Sequence, residues 1–288
     1  MEAEKEVLGL LWLRGLLTPF RPLSLNITRE VCAYLLSSAL CLVLAFRLDF
    51  ASLYDLDRRT VVSATLARSL DSGVKLCVVS HRKALCFGGN GPSSLVFSLL
   101  FSDFRLCPEK SMSVARSSAG VLLYRRNVYV FGGRPSVRSC EKLNLNLFTW
   151  HSLPNLLGSK HSFTPCRHHQ SIYLPEAGQA CLLEVFDIST ETITALEIAM
   201  PFQDGASTSI MHGEEMTIVT SKGELGKWSP GKGQFEVVSL GIGTESKLFC
   251  SSQPVLWAGK GYWAAFFSCN LAVLDLDWKQ CLFVSEVK

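Results

Sequence analysis

The chain has 288 residues, 48% of them hydrophobic and 18% charged, with a formal net charge of +3. Such a composition is too apolar for a disordered chain, and its charge is too small for a general nucleic-acid binder. With the charged fraction below the usual share of about 25%, most of the chain belongs in an interior, as one large domain or two small ones.

Residues 1–17, MEAEKEVLGLLWLRGLL, begin acidic, and Arg14 splits their apolar part. A secretory signal has a basic start and an unbroken apolar centre, so none is expected. Further on, Ile27, Val31, Tyr34 and Leu35 recur at helical spacing on one face. Asn26 or Thr28 can cap this helix, with Arg29 and Glu30 toward solvent. Residues 1–39 are therefore expected to form a short N-terminal helical, capping segment. Residues 31–46, VCAYLLSSALCLVLAF, carry no charge. A spanning helix needs about 20 residues, and Ser37 and Ser38 interrupt this run, so it reads as a packed helix leading into a buried strand. No membrane partner is expected.

From there on the chain repeats. A short apolar segment ending in Asp, Asn or Ser recurs around Asp55, Ser102, Asn144, Asp187, Ser229 and Asp275, at steps of 47, 42, 43, 42 and 46 residues. Six residues after the marker stand Val61, Trp150, Ile193, Phe235 and Cys281; the second copy slips, to about Leu106. A run of β-formers precedes each marker, and another short apolar stretch precedes that. Each unit reads as four short strands joined by tight turns. Four-stranded units at this spacing are propeller blades. The expectation is an all-β, six-bladed propeller over residues 40–288, with blades at about 40–66, 73–110, 117–156, 164–199, 206–240 and 253–287. The first copy lacks an obvious inner strand, which residues 7–13, VLGLLWL, could supply.

In the third copy, VYVFGG closes on Gly132 and Gly133, and Trp150 follows six residues after Asn144. The second copy has Gly88 and Gly89 without the Trp. This pattern of double glycine, strand and Trp resembles the Kelch repeat, and the resemblance extends over about 240 residues in increasingly degenerate copies. It implies a Kelch-type propeller and a protein-binding role, with the longer links between second and third strands as the docking face. Upstream, LSLNITREVCAYL is similar to the first helix of an F-box, but with Pro22 before Leu23 rather than after it, and without the rest of that motif.

The eleven cysteines stand singly, with no C-x-x-C pair. They read as reduced, buried thiols of a cytoplasmic protein. His161, Cys166, His168 and His169 are the one dense group of metal-capable side chains. On a strand His168 and His169 would point to opposite faces, so no metal site and no cofactor are expected. Residues 221–228, SKGELGKW, carry the Ser and Trp of a sialidase-type turn, with Gly223 in place of its Asp. No P-loop, nucleophile elbow or HExxH occurs, and no catalytic residue is assigned.

Two loop faces remain as candidate surfaces. Arg58, Arg59, His81, Arg82, Lys83, Arg125 and Arg126 fall in short turns on one face and make half of it basic, while Glu191, Glu214 and Glu215 make the other half acidic. Asn90, Arg134, Arg138, Gln179, Lys222 and Asn270 fall in the longer links on the opposite face. The function expected is a non-catalytic scaffold or adaptor for a protein or peptide partner, with no nucleic acid involved. The alternatives are a carbohydrate-active propeller enzyme and a substrate-binding adaptor of a ubiquitin ligase.

Overall fold

The structure is a computed structural model. It describes residues 74–239 apart from 81, 90, 101–104, 136–137, 176–181, 200–206, 221–223 and 233–234, and also the strands between 42 and 65 and between 255 and 286 as backbone paths. The first sheet has three strands, β1 (Leu42–Arg47), β2 (Phe50–Asp55) and β3 (Thr60–Thr65). Blade I comprises β4 (Val74–Ser80), β5 (Lys83–Gly88), β6 (Val96–Leu100) and β7 (Leu106–Glu109). Blade II comprises β8 (Gly120–Tyr124), β9 (Asn127–Phe131), β10 (Cys140–Asn144) and β11 (Thr149–Leu153). Blade III comprises β12 (Cys166–His168), β13 (Ser171–Leu174), β14 (Leu182–Asp187) and β15 (Thr192–Ala199). Blade IV comprises β16 (Ser207–His212), β17 (Glu215–Thr220), β18 (Glu224–Trp228) and β19 (Glu236–Ser239). A last sheet contains β20 (Val255–Trp257), β21 (Lys260–Phe267), β22 (Asn270–Asp275) and β23 (Gln280–Glu286).

The fold is an all-β propeller arrangement, and every element among the described residues is a strand. Sequential strands pair antiparallel within each sheet, as a propeller meander requires. The number of blades established is four, where six were expected. Among the described side chains, apolar faces pack on one another in blades I to IV. The first sheet has three strands, and the last is described by strand path and register alone. The helical segment at 1–39, its F-box-like stretch and the candidate inner strand at 7–13 lie outside the described residues. No helix among the described residues is long and apolar enough to cross a membrane.

A single blade has two apolar faces, and the alternation of its strands assigns each to a different neighbour. In β9, Val128 and Val130 pack with Phe87, Val96 and Leu143 between blades I and II. The intervening Tyr129 and Phe131 pack with Ile172, Leu174 and Phe186 between blades II and III. Tyr173, Leu183 and Val185 meet Met211, Ile218 and Trp228 between blades III and IV. Cys77, Cys86, Cys107, Cys140 and Cys166 are free thiols. Burial pushes Cys77, Cys86, Cys140 and Cys166 up to about 12.

The recurring marker residue has a local cause. Asn144 ends β10, and its Oδ1 accepts the Asn146 and Leu147 amides at 2.9 and 3.1 Å. Asp187 ends β14 and accepts the Ser189 and Thr190 amides at 2.8 and 2.9 Å. A short side-chain acceptor that satisfies the next turn's amides starts the hairpin into the fourth strand. In both turns the residue four places on, Phe148 or Glu191, takes positive φ, 51° and 53°.

Candidate partner-binding surfaces

The links entering blades II and III are stitched to neighbouring loops on the longer-link face. The Arg116 and Ser93 backbones exchange hydrogen bonds of 3.1 and 3.2 Å, as Ser117 and Arg134 do at 2.8 and 3.1 Å. The glycines make room for these links. A Cβ on Gly88 would stand 2.7 Å from the Arg116 carbonyl oxygen, and one on Gly132 would collide with that of Lys160. Gly88, Gly132 and Gly133 also hold φ of 77°, 58° and 116°, which glycine adopts without a Cβ penalty. Gly89 is buried beside Gly88.

Below the glycines lies a buried ionic post that sequence reasoning missed. Arg116 Nη1 donates to the carbonyls of Gly132 and Ser139 at 2.8 and 2.7 Å, and Nη2 reaches Glu141 at 2.8 Å. The other Glu141 oxygen accepts from the Ser113 amide and hydroxyl. Burial pulls the Arg116 pKa down, and the adjacent Glu141 acts in the opposite sense. One blade along, Lys160 stands 3.6 Å from Glu184, which also accepts the Leu157 and Gly158 amides. The blade period itself was the available signal, since Arg116 and Lys160, and Glu141 and Glu184, are each about one repeat apart.

On this face the structure places Arg134 and Arg138 at the two ends of the link between β9 and β10. Arg134 is exposed. Arg138 is tied down, its Nε donating to the Leu156 carbonyl at 2.8 Å. Asn270 opens β22 opposite Phe267 and Glu286. Asn90, Gln179 and Lys222 lie outside the described residues. Trp150, on β11, reaches back to blade I. Its ring meets Phe87 edge-on at 6.2 Å, and its Nε1 donates to the Lys110 carbonyl at 2.9 Å.

The opposite face is built from two-residue hairpins. Ser80 pairs with Lys83, Tyr124 with Asn127, His168 with Ser171 and His212 with Glu215. Arg58, Arg59 and His81 lie outside the described residues. Arg82, Arg125 and Arg126 are exposed. Lys83 is joined to Glu109 at 2.6 Å, and Arg126 to Asn146 at 2.7 Å. The expected acidic half is internally paired, because Glu191 meets Lys142, Glu214 meets His168 and Glu215 meets Lys227. Between blades II and III, the Tyr124 ring has the Arg125 guanidinium at 5.2 Å and the Arg167 guanidinium at 4.6 Å. Neither guanidinium pairs with a carboxylate among the described residues. Tyr124 and Arg167 were not singled out by sequence; the stacking joins residues over forty positions apart.

The histidine reading needs correction. His168 and His169 do not point to opposite faces, because their rings lie 4.0 Å apart. His169 is a turn residue with φ of 51°, so strand alternation stops at His168. Cys166 is buried in the core between blades III and IV, away from such a grouping. The third member of the cluster is instead Glu214, from the β16–β17 turn.

No protein-family model matches the chain, and no curated protein matches it in sequence.

Proposed function

We propose that the protein is a non-catalytic interaction scaffold whose short-turn face takes an acidic segment of a partner protein. The observation that carries this reading is the ledge of Arg125, Tyr124 and Arg167, two guanidiniums on one ring with no carboxylate partner among the described residues. An Arg on an aromatic face is held flat and keeps its donors for a carboxylate. Lys83, Glu191, Glu214 and Glu215 on this face are each paired within the chain, and the ledge adds an aromatic platform to charge that is not. We also read the chain as a cytoplasmic, Kelch-type propeller. This is supported by the six markers, by the glycine and Trp150 devices, and by the sheets β1–β3 and β20–β23 flanking the four blades.

Affinity capture with mass spectrometry of bound chains tests the docking face. Partners retained by the wild type should be lost with Arg125→Glu combined with Arg167→Glu, at unchanged melting temperature, and kept with Arg134→Ala. Loss with Arg134→Ala alone would move the docking surface to the longer-link face.

A further inference from the structure

We propose that His168, His169 and Glu214 form a divalent transition-metal site of the zinc class, clamping the β12–β13 and β16–β17 turns of blades III and IV together. Glu214 Oε1 lies 3.0 Å from His168 Nε2 and 3.8 Å from His169 Nε2. All three donor atoms fall within 4.8 Å of one another. Tetrahedral zinc with bonds of about 2.0–2.2 Å sets its donors roughly 3.3–3.6 Å apart. The donors therefore lie within about 1.5 Å of the separations that such a metal requires.

The backbone holds the donors in place. Both turns are two-residue hairpins, and the positive φ of His169 turns its ring back beside His168. Arg167 Nη1 donates to the His169 carbonyl at 2.6 Å, fixing that turn from the other side. Neighbouring Glu215 is engaged by Lys227 at 2.5 Å. Two imidazoles and one carboxylate suit zinc, copper, nickel or cobalt, whereas calcium and magnesium want oxygen donors. Since His169 and Glu214 are exposed, water can fill the remaining positions.

Calorimetric titration of the chelator-treated full chain with zinc should give one site with a dissociation constant in the micromolar range. His168→Ala, His169→Ala and Glu214→Ala should each weaken it at least about tenfold, the lower bound for removing even an outer partner of a metal ligand. Gln170→Ala should leave it unchanged, and excess magnesium should not displace zinc. Zinc should raise the melting temperature of the wild type but not of His169→Ala. Cobalt serves as a spectroscopic probe, and its complex should lack a thiolate charge-transfer band. The proposal is overturned by absence of binding, by binding indifferent to all three substitutions, or by a thiolate band showing that cysteines hold the metal.

Discussion

Arg116 and Glu141 meet at 2.8 Å with their side chains only 1% and 2% exposed. Two charges so deeply placed are tolerated because each is saturated, the guanidinium by backbone carbonyls and the carboxylate by Ser113. Removing one partner leaves the other charged and desolvated. Glu141→Ala should therefore cost about 3–5 kcal/mol in a urea titration. Glu109→Ala, which breaks the half-buried pair with Lys83, should cost less than about 1 kcal/mol.

Gly132 and Gly213 share φ of 58° but differ in surroundings. A Cβ at Gly213 meets nothing within 4 Å, whereas one at Gly132 runs into the Lys160 carbonyl oxygen. Conformation alone costs on the order of 1–3 kcal/mol for a side-chain-bearing residue, least for Asn. Gly213→Asn should thus be mild. Gly132→Ala should exceed that range, because the backbone it meets is itself hydrogen-bonded to Gly133. Paired thermal melts measure the difference.

Trp150 is only partly buried, yet it spans two blades through Phe87 and the Lys110 carbonyl. Trp150→Phe keeps the ring contact and loses the donor, for a cost of about 1 kcal/mol. Trp150→Ala loses both and should cost about 3 kcal/mol. Equal destabilisation by the two variants would assign the role to the hydrogen bond alone.

Asp187 is held down to about 2, first by the Ser189 hydroxyl and then by the Thr190 amide. Its folded pKa lies below the unfolded value, so its contribution is fully present above about pH 4. That contribution is lost as pH falls toward 2. Asp187→Asn should keep the turn, as Asn144 does in blade II, and remove this acid-limb dependence. Unfolding midpoints of both proteins from pH 5 to pH 2 compare the slopes.

The all-β propeller arrangement was legible because its signals are local and repeated. Alternating apolar runs make strands, and an Asp or Asn closes the third strand for a reason confined to three or four residues. What escaped depends on contacts across blades. Arg116 and Glu141 look like ordinary polar residues until a blade closes over them. His168 and His169 were separated by an alternation rule that fails one residue after β12 ends. Tyr124 and Arg167 belong to different blades, and nothing in either segment announces the other.

The division of β9 between two interfaces imposes a rule of parity on this chain. Inserting one residue at the middle of that strand would exchange the partners of the side chains beyond it, sending Val130 toward Phe186 and Phe131 toward Leu143. Inserting two would restore their sides. The hairpin at Arg125 and Arg126 obeys no such rule, since added residues there lengthen a solvent-facing loop. Length variation in this architecture is therefore freest at solvent-facing hairpins such as this one and confined to even steps within the strands.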